Sequence, residues 1–177
     1  MNKTDKTLRA TALIRAIPDF PKSGILFRDI APALADPEAF REIIDHMAAS
    51  AREWGVEAIA GIESRGFLFG APVALSLGMP FVPIRKVGKL PGETVQEEYV
   101  LEYGTAILEV QRDAALSGRR VVIVDDLLAT GGTTRAAASL VAALGGTVAG
   151  ISVLIELEAL GGRSVLGKTP IQALLTY

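Results

Sequence analysis

Apolar positions along this chain change period several times, and each change marks an element. Leu8, Ala12, Leu13 and Ala16 have helical spacing, so residues 8–17 are predicted as a helix ended by Pro18 and Pro21. Residues 25–30 form a short apolar piece broken by Arg28 and Asp29. Asp36-Pro37 has the form of an N-cap followed by proline at the first helical position. The helix it starts reaches Trp54, with Phe40, Ile43, Ile44, Met47 and Ala51 on one face and Gly55 as its terminator. Beyond it the pattern alternates. Strands are predicted at 56–61, 81–84, 99–101, 120–124 and 148–155, and helices at 66–77, 106–116 and 134–144. Residues 85–98 read as a polar, glycine-rich loop, long enough to be functional or mobile. Continuous apolar strands alternating with helices specify an α/β fold, a mostly parallel twisted sheet with helices on both faces. The length, 177 residues, suits one domain spanning 1–177.

Two uncharged stretches, 66–84 and 136–155, approach the length of a membrane span. Pro72, Pro80 and Pro83 interrupt the first, and Gly145-Gly146 cuts the second before it turns β-branched. Each reads better as helix, turn and buried strand, so no membrane partner is expected. Residues 1–9 are polar and lack the apolar core of a secretory signal. With no cysteine in the chain, a cytoplasmic location is expected. A net charge of −2 argues against a non-specific nucleic-acid binder, which would want a basic face, so no nucleic-acid partner is expected. The single histidine, His46, excludes a multi-histidine metal centre and falls within the first long helix.

The densest chemistry lies at 121–134, Val-Val-Ile-Val-Asp-Asp-Leu-Leu-Ala-Thr-Gly-Gly-Thr-Thr. A buried strand ends in two carboxylates, a turn of small residues follows, and a helix begins. The C-terminal edge of a parallel sheet is where open α/β folds bind ligands. Backbone N–H groups of 129–133 can approach an anion closely, and the helix N-terminus favours negative charge. Thr130, Thr133 and Thr134 add hydroxyl donors. The segment is a candidate phosphate cradle. It is neither a Walker loop nor a dinucleotide fingerprint, since Gly-Lys-Ser/Thr and Gly-x-Gly-x-x-Gly are both absent. Asp125 and Asp126 beside a phosphate suit a sugar diol, a divalent cation, or both.

Charged groups cluster in three further places. Arg65, in Glu63-Ser64-Arg65-Gly66-Phe67, sits between a strand and an apolar helix, where an anion would find it. Arg85, Lys86 and Lys89 make a cationic loop suited to a diphosphate. Glu102, in Leu101-Glu102-Tyr103-Gly104, places a carboxylate at the far end of that loop.

The segment 121–134 resembles the 5-phosphoribosyl 1-diphosphate (PRPP) motif of type I phosphoribosyltransferases. With 20–30 (Phe-Pro-Lys-Ser-Gly-Ile-Leu-Phe-Arg-Asp-Ile), 64–70, 84–92 and 101–104, the chain is similar over about 20–158 to the adenine-specific branch of that family. The resemblance implies the type I phosphoribosyltransferase fold, with a small hood from about residues 1–35. It implies an adenine pocket from Leu26 (backbone), Phe27 (stacking) and Arg28. Ser64 and Arg65, in a loop that often carries a non-proline cis peptide in this family, would hold diphosphate together with Arg85, Lys86 and Lys89. Asp125 and Asp126 would contact the ribose hydroxyls. Ala129, Thr130, Gly131, Gly132 and Thr133 would hold the 5-phosphate. Glu102 would be the catalytic acid/base. Mg²⁺ is the implied cofactor, held mainly by the PRPP diphosphate rather than by protein ligands, and a homodimer is the implied assembly, with Arg85 reaching the neighbouring subunit's site. The loop 85–103 would close to exclude water. The implied reaction is Mg²⁺-dependent purine salvage, adenine plus PRPP giving AMP and diphosphate. The competing readings are transfer to a 6-oxo purine and a non-catalytic PRPP-sensing regulator. The first would call for a lysine beyond the motif, where only the distant Lys168 occurs. The second would call for a DNA-binding domain or basic face that this composition lacks.

Overall fold

The computed structural model describes residues 8–100 and 104–177, and the chain divides into two compact units, Met1–His46 and Met47–Tyr177.

In the first unit the helix predicted over 8–17 is replaced by a 3-10 turn, Arg9–Ala12, and a strand β1 (Arg15–Pro18). A ten-residue helix is marginal on its own, and Ile14 and Ile17 favour extended backbone. The decisive factor is non-local: β1 pairs antiparallel with β2 (Leu26–Asp29), in the register Arg15↔Asp29 to Pro18↔Leu26. Arg15 and Asp29 are ion-paired across that ladder. At the turn the Asp19 carboxylate accepts the Gly24 N–H at 2.7 Å, and the Phe20–Pro21 peptide is cis. Phe20 stands edge-on to Phe27 with ring centroids 5.1 Å apart.

A short helix α1 (Ala31–Ala35) leads to Asp36 and the long helix α2 (Pro37–Glu53), as its cap signature predicts. Asp36 accepts the N–H groups of Glu38 and Ala39 at 3.0 and 2.9 Å, and the Arg9 guanidinium at 2.6 Å. Arg9 foremost, then the Ala39 N–H, lower its pKa to about 2.

The second unit is built on a seven-stranded sheet in the order β5-β6-β4-β3-β7-β8-β9. The strands are β3 (Ala58–Ile62), β4 (Phe81–Lys86), β5 (Thr94–Val100), β6 (Thr105–Gln111), β7 (Arg120–Leu128), β8 (Thr147–Glu156) and β9 (Ile171–Thr176). β4, β3, β7, β8 and β9 are parallel; β5 and β6 are antiparallel additions. The helices α3 (Arg65–Leu77) and α4 (Gly132–Ala143) follow β3 and β7. The crossover through α3 runs outward to β4, and that through α4 runs the opposite way to β8. Right-handed crossovers in opposite directions put the two helices on opposite faces. The strand order therefore switches between β3 and β7, where a crevice opens at their C-terminal ends. Beneath it, Ile62, Ile84, Ile123, Leu140 and Ile151 are buried in one continuous apolar cluster.

Two expectations are corrected here. Residues 106–116 are not a helix: Thr105–Gln111 is strand β6. The predicted loop 85–98 contains most of β5, which pairs with β6 from Thr94↔Gln111 to Val100↔Thr105. The misleading residue is Glu109. A charged side chain among Ile107, Leu108 and Val110 suggests the wet face of a helix, yet Glu109 is buried. Its carboxylate accepts the N–H groups of Lys89 and Leu90 at 2.8 and 2.9 Å and the Thr94 hydroxyl at 3.2 Å. Desolvation works against its charge, but these donors outweigh it and its pKa lies below the ordinary glutamate value. A feature not anticipated is β9, which extends the parallel edge beside β8.

Candidate active site

The β3–β7 switch point holds a cleft of about 370 Å³. Four chain segments line it: 63–65 after β3, residues of 125–134 across the end of β7 and the start of α4, Lys86 at the end of β4, and Tyr99 on β5.

The 129–133 turn takes its shape from glycine. Gly131 has φ +82°, and a Cβ there would lie 2.5 Å from Val165 Cγ2 and 2.6 Å from the Gly162 carbonyl oxygen. No side chain caps α4. The first N–H groups of a helix have no intrahelical acceptor. Gly132, Thr133 and Thr134 thus bring free donors and a positive helix end to the cleft wall.

In the same cleft, β7 delivers two buried carboxylates, Asp125 and Asp126. Asp125 accepts the Asp126 N–H at 2.9 Å. Burial, reinforced by the neighbouring Asp126 charge, pushes the Asp125 carboxyl well above its ordinary pKa. Asp126 Oδ2 accepts from Arg65 Nε at 2.5 Å, which fastens the 63–65 loop to the end of β7. The close fit at this junction needs Gly66, since a Cβ there would stand 2.6 Å from the Val124 carbonyl oxygen. The Glu63–Ser64 peptide is cis, in the loop for which the family resemblance implies such a bond.

The geometry brings together Ser64, Arg65, Lys86, Asp125, Asp126, Ala129, Thr130, Gly131, Gly132 and Thr133. It does not bring Arg85 or Lys89 to the cleft lining. Arg85 grips Glu63 through Nε at 3.1 Å and Nη2 at 3.3 Å, donates to the Lys89 carbonyl at 3.0 Å, and lies over the Phe67 ring. Desolvation opposes the Glu63 charge, but Arg85 and the Lys86 N–H overcome it and lower its pKa. Leu26, Phe27 and Arg28 lie on β2 of the N-terminal unit. Glu102, with Leu101 and Tyr103, lies outside the described residues.

Sequence reasoning did not single out Glu63, Tyr99 or Leu127 as site residues, although all three line the cleft, as does Thr134 of the predicted phosphate cradle. Glu63 directly follows β3, and that edge position was the available signal. Tyr99 carried none: a strand was predicted at 99–101, but the approach of Tyr99 to the cleft depends on β5 pairing with β6, a segment predicted as helix. Among the described residues no group of three or more His, Asp or Glu is arranged to hold a metal, and no helix is long and apolar enough to cross a membrane.

This arrangement suits a phosphorylated sugar: free N–H donors for an anion, two carboxylates for hydroxyl groups, and Arg65 and Lys86 for further negative charge. Similarity to known proteins agrees. The phosphoribosyl transferase domain family matches residues 32–165. An adenine phosphoribosyltransferase of Thermobifida fusca is 51% identical over 173 residues, 98% of each chain. The crystal structure of adenine phosphoribosyltransferase from Thermoanaerobacter pseudethanolicus is 54% identical, with a TM-score of 0.92 over 95% of this chain and 98% of that one. The Saccharomyces cerevisiae enzyme was solved with adenine and D-2,5-dideoxy-2,5-imino-altritol 1,6-bisphosphate. It is 42% identical, with a TM-score of 0.88, covering 94% of this chain and 96% of that one.

Proposed function

The chain belongs to the phosphoribosyltransferases and, among them, to the adenine phosphoribosyltransferase family, and we propose that it converts adenine and PRPP to AMP and diphosphate in purine salvage. The observation that carries this reading is the joining of the 129–133 turn, the Asp125–Asp126 pair and Arg65 in one cleft.

In the proposed reaction the bond from ribose C1 to the diphosphate oxygen breaks, and a bond from adenine N9 to C1 forms. The diphosphate leaves with the electron pair, and the proton on N9 must be taken up. The 129–133 turn holds the 5-phosphate through its free N–H groups. Asp125 and Asp126 accept hydrogen bonds from the ribose hydroxyls. A protonated Asp125 can also donate, which its raised pKa favours. Ser64, Arg65 and Lys86 take the diphosphate, and the positive charge of Arg65 and Lys86 stabilises the charge that develops there. Lys89 and Arg85 serve the same group, with Arg85 reaching the site of a second subunit in a homodimer. Leu26, Phe27 and Arg28 recognise adenine, by backbone acceptor, ring stacking and edge contact. Glu102 manages the proton on the purine ring, a role typically worth about 10²–10⁴-fold.

Mg²⁺ is a hard cation, bound by one or two carboxylates together with substrate phosphates. The oxygen donors here, Asp125 and an Asp126 already engaged by Arg65, fit an ion that arrives on the diphosphate rather than a protein cage. When bound, it neutralises charge on the leaving diphosphate. The reading carries with it one catalytic domain over 1–177, an N-terminal hood for the base and a cytoplasmic setting.

The test is a product assay with PRPP, Mg²⁺ and adenine, hypoxanthine, guanine or xanthine in turn. AMP from adenine alone is the expected result, with Glu102→Ala suppressing it. Turnover of a 6-oxo purine would overturn the assignment at Leu26, Phe27 and Arg28. No product from any base, despite PRPP binding, would point to a PRPP-sensing regulator.

A further inference from the structure

The phosphate turn is braced from behind by a segment that does not itself line the cleft. The carbonyl of Leu128, the last residue of β7, accepts the Leu157 N–H at 2.9 Å. The chain then passes through Gly161 into a 3-10 turn, Gly162–Leu166, pressed against the back of 129–131. A Cβ on Gly162 would stand 2.2 Å from the Ala129 carbonyl oxygen and 3.0 Å from the Gly131 nitrogen. Val165 closes over Gly131 from the same side.

One ion pair anchors this segment. Arg163 Nε and Nη2 donate to the two oxygens of Glu156 at 3.0 and 2.5 Å, and Nη1 donates to the Ile171 carbonyl at 3.2 Å. Glu156 is the last residue of β8, and its side chain is 7% exposed. In register it is the partner of Leu128, the residue just before the turn. The acid of the pair therefore sits beside the root of the turn, and the base sits next to the glycine that presses on its back. A planar guanidinium presents paired donors to both carboxylate oxygens and a third to a carbonyl in one rigid fork, whereas an ammonium's donors share a single nitrogen.

Resting on the functional reading above, we propose that Arg163, through Glu156, is a positioning residue for the sugar phosphate: it holds Gly162 and Val165 against 129–131 and so sets the aim of the turn's N–H groups. Adenine recognition has no part in this brace. Its loss therefore acts on PRPP alone.

The experiment compares wild type with Arg163→Met, Arg163→Lys and the double variant Glu156→Gln/Arg163→Met. The double variant removes the buried unpaired carboxylate that Arg163→Met alone leaves behind. Steady-state kinetics with adenine and PRPP are read beside calorimetric binding of ribose 5-phosphate and thermal melting. A displaced turn should raise the KM for PRPP roughly 10-fold to 100-fold, weaken ribose 5-phosphate in parallel, and leave the KM for adenine and kcat at saturating PRPP unchanged. The double variant should melt close to wild type yet keep the PRPP defect, and Arg163→Lys should recover only part of it. Unchanged PRPP KM and ribose 5-phosphate affinity in a destabilised Arg163→Met protein would overturn the brace and leave a purely structural ion pair. If the wild type makes no nucleotide but binds ribose 5-phosphate, the functional reading fails, and weaker binding by the variants still supports the brace. No ribose 5-phosphate binding by a wild type that makes AMP overturns the brace alone, and its absence together with no nucleotide product overturns both.

Discussion

Arg65 and Asp126 join the two strand-end loops that frame the cleft, with Arg65 Nε 2.5 Å from Asp126 Oδ2. Sixty-one positions separate them in sequence. β3 and β7 bring them together by pairing in parallel, Ala58↔Val121 through Gly61↔Val124. Asp126→Asn keeps a hydrogen-bond acceptor but removes the charge that holds Arg65. We expect kcat/KM for PRPP to fall about 10²-fold through loss of positioning, with the melting temperature little changed because the Arg65 side chain is 46% exposed. Unaltered PRPP kinetics would show that the pair has no catalytic consequence.

Asp125 makes an opposite bargain between stability and function. Its pKa is raised in the folded state, so the unfolded chain gives up this proton at lower pH than the folded one. Stability from this group is full below the ordinary aspartate value of 3.8 and is lost as pH rises towards the raised folded value. Asp125→Asn should therefore melt higher than wild type at pH 7, by an amount that shrinks to nothing near pH 3.8. Each pKa unit corresponds to about 1.4 kcal/mol. The same variant should lose transfer activity. Parallel melting curves across this range would refute the assignment.

Gly131→Ala tests the turn itself. A left-handed L-residue costs about 1–2 kcal/mol before any clash is counted, and here Cβ would strike Val165 and the Gly162 carbonyl. A lower urea midpoint and weaker binding of ribose 5-phosphate are expected together. Retained affinity would mean that the phosphate does not rest on this turn.

In the N-terminal unit, Asp36 caps α2 and pairs with Arg9. Its depressed pKa supplies stability above the ordinary value of 3.8, lost as pH falls through about 2. Asp36→Ala should lower the melting temperature at pH 6, and the gap to wild type should close between pH 3.8 and 2. A gap that persists at pH 2 would exclude the charge as its source.

What could be read along the chain is what local physics decides. Asp36-Pro37 marks the start of α2 because a cap acts within one turn. The run Val121 to Val124, the two aspartates and Ala129 to Thr133 together specify a buried strand, an acidic edge and an anion-binding turn, since each feature is contiguous. The choice of a parallel sheet followed from strands apolar on both faces. Where partners are distant, the pattern misled. Residues 15–18 extend because β2 offers them a ladder, and Thr105–Gln111 extends because β4 and β5 flank it. Glu109 reads as a surface acid until the N–H groups of Lys89 and Leu90 fold over it. Tyr99, predicted in a strand, lines the cleft because β5 pairs with β6, and Arg85 turns to Glu63 only because β3 and β4 end side by side. The Arg163–Glu156 brace is likewise invisible without the β7–β8 register. Chain order and side-chain chemistry determine which groups are available. Sheet pairing, whose partners lie tens of residues apart, decides which of them meet.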